Sequence, residues 1–364
     1  MEARDLLIPL CVAIGGAALA TPLVARTARA LAIVDHPSER GVSARAGMPL
    51  AGGLAVAAGF AAGFAAALHA ISEAVDPRQL DGLVMGATVM VVAGICDDRW
   101  GMNAWSKFLV QFFAAAIAIA HGFEIAHVTE PFTMKSIVLP DWLKWVVSAL
   151  WIVGITNAIN LVDGLDGLAS GVGAIIGATL TVIAWQAGQP LAVCVGVALV
   201  GALLGFLPYN FWPARIFLGD TGSLLIGYML GLLALGGYRQ LSLITFVVPL
   251  LALALPIIDT LLSILRRIRK GTHIFQADRM HMHHRLLAVE GSQRRAVLQI
   301  YLATAAFCLI ALSFTRLEGP MAAFFLVAVL ALTARMVWNL DALSIEGGEP
   351  PSEEPAAGAK EGEE

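Results

Sequence analysis

The feature that most constrains this chain is a run of apolar residues about 20 long, repeated along the sequence and bounded each time by charge, glycine or proline. Such a run is what a helix needs to cross the hydrocarbon core, where every backbone N–H and C=O must be satisfied within the spanning structure. Eleven runs are read: Leu6–Leu31, Pro49–Ala70, Leu80–Cys96, Ala104–His121, Trp142–Asn157, Leu168–Ala187, Pro190–Trp212, Gly222–Gly237, Leu241–Leu265, Ala296–Phe314 and Met321–Leu340. They predict an all-α polytopic membrane protein with about 11 transmembrane helices, 10 being the lower count. The run 190–212 holds Pro208 and a polar Tyr209-Asn210 end, so its helix is expected to break before the membrane surface. Composition agrees: 58% of residues are hydrophobic and 14% charged, where soluble domains average roughly 45–50% and about 25%. A pair of water-soluble domains is thereby excluded.

The basic residues set the direction. Of 23, 17 fall on alternate loops beginning after the first span, among them Arg26, Arg29, Arg40, Arg45, Arg99, Lys107, Arg215 and the group from Arg266 to Arg295. The other side keeps Arg4, Arg78, Lys135, Lys144, Arg239 and Arg316. The expected topology is an outside N-terminus, a cytoplasmic C-terminus and an odd number of spans. Glu2 and Asp5 ahead of the first run do not match a cleaved signal. One outside stretch, Gly122–Asp141, is long and has strand-like pieces from Phe123 to Thr129, which predict a small outer β-hairpin. From Asp341 to Glu364 there are eight acids and one base, a composition expected to stay disordered as a cytoplasmic tail. The four cysteines are scattered through apolar runs and imply neither a disulfide framework nor a metal site.

Every dense polar cluster falls on the predicted cytoplasmic side. Asp97 and Asp98 end the third run, and Lys107 follows two to three turns into the next. Asn157, Asn160, Asp163 and Asp166 are spaced by three, with Gly164 and Gly167 after the acids; on a helical turn residues three apart share a face. A plain interhelical cap would need one Asn and one Asp rather than two of each. Asp220 lies between glycines, with hydroxyls following, just before a helix, where Asp220 or Thr221 could also be a plain N-cap. The longest inside loop carries His281, His283, His284 and Arg285, without the Cys or His spacing of a structural zinc site. Acids with oxygen ligands suit Mg²⁺ or Mn²⁺ bridging to phosphates, and Arg, Lys and His suit the phosphates themselves. Metal-dependent phosphoryl transfer to a membrane-bound acceptor fits these residues, and nothing in them suggests nucleic acid.

Asp97-Asp98, the Asn157–Gly167 segment, Gly219–Ser223 and His281–His284, in this order, resemble the motifs of the polyprenyl-phosphate N-acetylhexosamine-1-phosphate transferases, glycosyltransferase family 4. The resemblance runs from about Asp35 to Leu286. His-x-His-His followed by Arg-Leu looks like the WecA/TagO-type branch, which uses UDP-GlcNAc; the muramoyl-pentapeptide enzymes carry three consecutive histidines. One departure stands: the family's Lys-x-His pair after the Asp35–Arg40 element is replaced by Gly41 and Ser43, leaving Arg45 nearby.

The resemblance implies transfer of GlcNAc-1-phosphate from UDP-GlcNAc to undecaprenyl phosphate at the cytoplasmic face of a bacterial inner membrane, by residues 1–340. It implies Mg²⁺ (or Mn²⁺) held by Asp220 with Asp98, and Asp97 and Asp98 beside the acceptor phosphate. Lys107 is implied on the diphosphate, Asp166 and Phe217 at the uracil, and Asn157, Asn160, Asp163 and Asn210 around the nucleotide. His281, His283, His284 and Arg285 are implied at the sugar, Asp259 as an accessory acid near the lipid groove, and a homodimer as the assembly. Other UDP-N-acetylhexosamines, or UDP-MurNAc-pentapeptide, are alternative donors. From another class, an ion-coupled transporter would place polar groups near mid-bilayer and show repeat symmetry between halves.

Overall fold

A computed structural model describes residues 3–35, 47–71, 75–129, 136–236, 250–269, 286–287 and 290–314. All of them fall within one compact unit, Met1–Arg316. The eleventh predicted span, the acidic tail, Arg40 and Arg45, and the His281–Arg285 cluster lie outside the described residues.

Ten helices and one hairpin are found among the described residues: α1 (Ala3–Ala30), α2 (Gly52–Ile71), α3 (Pro77–Trp100), α4 (Ala104–Ala120), β1 (His127–Thr129), β2 (Ser136–Val138), α5 (Asp141–Val162), α6 (Leu168–Gln186), α7 (Pro190–Asn210), α8 (Gly219–Gly236), α9 (Ala254–Arg269) and α10 (Gln293–Phe314). The protein is an all-α polytopic membrane protein. Eight helices are long and apolar enough to cross a bilayer. The 17 residues of α4 and the apolar part of α9, Ala254–Ile264, are shorter. At 1.5 Å per residue α4 reaches about 26 Å, close to the ~30 Å hydrocarbon core.

Helix limits follow local chemistry. Asp76 caps α3 by accepting from Arg78 N at 3.0 Å, with Pro77 in the first turn, and Gly101 ends the helix at φ 72°. Asn103 caps α4 by accepting from Ser106 N at 2.8 Å. The expected hairpin is present: β1 and β2 pair antiparallel, with His127 opposite Val138 and Thr129 opposite Ser136.

Two spans are shaped around proline. Helix α7 continues through Pro208 and ends at Asn210, two residues short of the run read from sequence. Proline there removes a single donor at the last turn, and buried packing outweighs that loss. The ninth run is interrupted at Leu253, ahead of α9. Pro256 has no N–H to offer the carbonyl of Ala252, and the Cys308 thiol of α10 lies 3.8 Å from that oxygen instead.

Helix α8 is the protein-lined centre, packing on α2, α3, α5, α6 and α7. In its most apolar stretch 83% of residues are buried, against 22% for α1. Successive helices run in opposite directions. The C-terminal ends of α3, α5 and α7 and the N-terminal ends of α4, α6 and α8 therefore gather at one end of the bundle.

Candidate active site

That end is built around the start of α8. Gly53 of α2 and Gly94 of α3 leave no room for a side chain: a Cβ on either would overlap backbone of Asp220, Thr221 or Gly222. The 49–53 segment hydrogen-bonds along the approach to α8, with Phe217 N donating to Pro49 O at 2.9 Å and Gly53 N to Leu218 O at 2.8 Å. Three backbones thus meet at contact distance, and Asp220 is set at the rim.

The adjacent acids of α3 have different jobs. Asp98 is committed to α8. Its Oδ1 accepts from Asp220 N at 2.7 Å, and its Oδ2 accepts from Thr221 N at 3.1 Å and Thr221 Oγ1 at 2.6 Å. A carboxylate borrowed from another helix thereby satisfies the free N–H groups at the positive end of α8. Asp97, 7% exposed, accepts from Met102 N at 2.7 Å through Oδ1 and pairs through Oδ2 with the Lys107 ammonium. Lys107 Nζ also donates to Asp220 Oδ2 at 2.9 Å. Asn160 of α5 completes the ring, donating from Nδ2 to Asp220 Oδ1 and to Ser223 Oγ at 2.8 Å.

Asp163 caps the C-terminal end of α5 beside this ring. Burial, then the carboxylates of Asp220, Asp98 and Asp166, push its carboxyl well above the usual carboxylate range. The two glycines of its motif are used differently. Gly164 N donates to Val162 O at 2.7 Å, tightening the turn. Gly167 takes φ 79°, a left-handed conformation that starts α6 and that other residues adopt with strain.

The remaining predicted residues support the neighbouring 211–216 loop. Asp166, 6% exposed, accepts from Ala214 N at 2.9 Å. Asn210 accepts from Ser170 Oγ at 2.8 Å and donates to Ile216 O at 3.1 Å. Phe217 is half-buried at the entrance to α8. Asp259 is buried on α9, which packs on α5. His281, His283, His284 and Arg285 lie outside the described residues.

Three contacts were not singled out from sequence. Gln111 of α4, 1% exposed, exchanges amide hydrogen bonds with Asn157; its signal is a lone amide in the apolar run Phe108–Ala120. Thr221, which the sequence offers only as an alternative N-cap, donates its hydroxyl to Asp98 instead. Tyr301 of α10 donates its hydroxyl to Gly167 O, where its ring fills the space a Cβ on Gly171 would need. Nothing in the spacing of residue 301 announces that contact.

Electrostatically the cluster is rich in carboxylate: among the described residues Asp97 and Asp220 share the Lys107 ammonium, while Asp98 beside them accepts only from α8. Among the described residues no three His, Cys, Asp or Glu side chains form a ready-made metal cage. Mg²⁺ does not require one, because it is usually held through one or two carboxylates plus substrate phosphates and waters. Hard oxygen donors in excess of local positive charge fit such an ion.

Comparison with known proteins follows the same line. A family model described as glycosyl transferase family 4 matches residues 80–238. A protein of Bacillus subtilis (strain 168), named probable undecaprenyl-phosphate N-acetylglucosaminyl 1-phosphate transferase, is 40% identical over 283 residues, 78% of this chain and 77% of that protein. A decaprenyl-phosphate N-acetylglucosaminephosphotransferase of Mycolicibacterium smegmatis is 36% identical over 317 residues, 79% of this chain and 77% of that one. A phospho-N-acetylmuramoyl-pentapeptide-transferase of Shouchella clausii is 30% identical over 322 residues, 83% and 95% of the two chains. Identity at this level over most of each relative bears out the resemblance carried by the four motifs, and the chain is a membrane enzyme of glycosyl transferase family 4.

Proposed function

We propose that this enzyme transfers GlcNAc-1-phosphate from UDP-GlcNAc to undecaprenyl phosphate at the cytoplasmic face of a bacterial inner membrane. The products are UMP and undecaprenyl-diphospho-GlcNAc. The observation that carries the reading is the Asp97–Lys107–Asp220–Asn160 ring at the membrane-surface end of the bundle. The names of the relatives support the polyprenyl-phosphate acceptor and the GlcNAc-phosphate group. The cytoplasmic orientation rests on the 17-to-6 distribution of basic residues.

A phosphate monoester has its second pKa near 6, so the lipid phosphate arrives mostly as a dianion and needs little help from a base. Its oxygen attacks the β-phosphorus of the donor, a new P–O bond forms, and the bond to the bridging oxygen breaks with the electron pair leaving on UMP. Positioning and charge neutralisation supply most of the rate in such transfers. Lys107 passes from the carboxylates to the donor diphosphate. Asp97, which shares Lys107, orients the acceptor or takes a residual proton. Asp98 serves by fixing the backbone of Asp220, since its two oxygens already accept three hydrogen bonds. Asp220 would hold Mg²⁺, which when bound neutralises charge on the diphosphate. Asp166, Phe217 and Asn210 form the nucleotide side, and His281, His283, His284 and Arg285 the sugar side.

The test is conversion of radiolabelled UDP-GlcNAc into a butanol-extractable lipid by purified protein with Mg²⁺ and undecaprenyl phosphate. Lipid product together with UMP is the expected result. No product from UDP-GlcNAc, with product from UDP-MurNAc-pentapeptide, would move the donor assignment to the other branch. A stable phospho-GlcNAc adduct on Asp97 or Asp98 would replace direct attack by double displacement.

A further inference from the structure

Asp220 is gripped from two sides. Lys107 Nζ donates to its Oδ2 at 2.9 Å from α4, and Asn160 Nδ2 donates to its Oδ1 from α5. How the carboxylate is aimed therefore depends on the register of α4 against α5. One helical turn along α4 from Lys107, on the same face, stands Gln111; three residues before Asn160 on α5 stands Asn157. Asn157 Nδ2 donates to Gln111 Oε1 and to Val153 O at 2.8 Å, and Gln111 Nε2 donates back to Asn157 Oδ1 at 3.4 Å. The four side chains form a ladder, with the amide pair as the deeper rung and Asp220 closing the upper one.

Burial alone does not account for a glutamine at this place. Gln111 is 1% exposed within an apolar helix, where an aliphatic side chain would pack without needing a partner and an unpaired amide is costly. An amide pair, unlike apolar packing, is directional. A slide of one residue, about 1.5 Å along the axis, breaks it.

We infer that Gln111 is a positioning residue for the transfer reaction: paired with Asn157, it sets the register at which α4 and α5 present Lys107 and Asn160 to the Asp220 carboxylate. The inference rests on the reading that Asp220 binds the divalent ion and the donor diphosphate. Gln111 touches neither substrate and acts through the two helices.

Gln111→Leu tests this, because leucine keeps most of the volume and removes the rung. Misplacement of catalytic groups by about 1 Å costs up to about 100-fold, so kcat for UMP release should fall about 10- to 100-fold with the KM for undecaprenyl phosphate unchanged. Mn²⁺ binding, followed by electron paramagnetic resonance with UDP present, should weaken in parallel. The decisive variant is the exchange Gln111→Asn with Asn157→Gln, which restores an amide pair of the same combined length. It should recover most of the kcat and Mn²⁺ affinity lost by either single change, which general loosening of the bundle would not produce. Wild-type kcat and Mn²⁺ binding in Gln111→Leu, or an exchanged pair no better than the single variants, overturns the inference. A wild-type protein that neither binds Mn²⁺ nor releases UMP overturns the functional reading instead.

Discussion

The two ends of the bundle use the same polar residue types in different ways. At the hairpin end, carboxylates are spent close to home, and the side chains that do cross elements, Arg78 to Ala120 O and Ser148 to Ile125 N, end on backbone. Asp76 caps its own helix, and Lys144 pairs with Asp141 one turn away at 3.0 Å. At the motif end, side chains reach across helices: Asp98 from α3 to α8, Lys107 from α4 to both acids, and Asn160 from α5 to Asp220. Local pairing satisfies a charge and finishes it. Cross-helix pairing leaves Asp97 and Asp220 sharing one ammonium among the described residues, and that sharing is what makes one end chemically receptive.

Breaking the receptive end at its centre should have the largest effect. Asp220→Asn keeps the shape but removes the charge, and Mg²⁺-dependent UMP release should drop at least about 10³-fold, roughly 4 kcal/mol of barrier, while the protein still melts cooperatively in detergent. Near-wild-type turnover would take Asp220 out of the cation site. Lys107→Met should lower kcat by about 100-fold and at the same time tighten Mn²⁺ binding to donor-free protein, since the tethered ammonium no longer competes for Asp97 and Asp220. Weaker Mn²⁺ binding in that variant would contradict the competition.

A pair of capping variants sharpens the contrast between ends. Loss of a helix cap typically costs about 0.5–2 kcal/mol, so Asp98→Ala and Asp76→Ala should both lower the melting temperature. Only Asp98→Ala should also lower turnover, because it releases the backbone of Asp220; equal turnover in the two would make the Asp98 contact merely structural. The smallest effect is expected at Asp163. Its raised folded-state pKa favours the neutral carboxyl, so the wild-type protein loses stability from this group as pH rises towards that pKa. Asparagine resembles the neutral form at every pH. The stability of Asp163→Asn relative to wild type, measured without divalent ions, should be near parity at pH 4 and grow towards pH 8; a gap that shrinks with pH would reverse the assignment.

Much of this was legible in the sequence, for identifiable reasons. Eight spans follow from the length of apolar runs, and the gathering of Asp97, Asn160 and Asp220 from the alternation of helix direction. What the sequence hides is partner choice across helices. Asp97 and Asp98 are indistinguishable as neighbours, and their different roles come from Met102 and Lys107 on one side and Asp220 and Thr221, 122 and 123 residues away, on the other. How far α7 runs past Pro208 was not legible either, because it depends on the packing that buries most sides of α7. Gln111 could have been noticed as a lone amide, but its function needs the α4–α5 contact, which no local pattern encodes.

The glycine contact at the start of α8 bears on how such a site can diversify. There main chain meets main chain, with Gly53 and Gly94 against Thr221 and Gly222, so substitution at that contact cannot reshape the site without prising helices apart. Variation in substrate preference must therefore arise at side chains away from that contact.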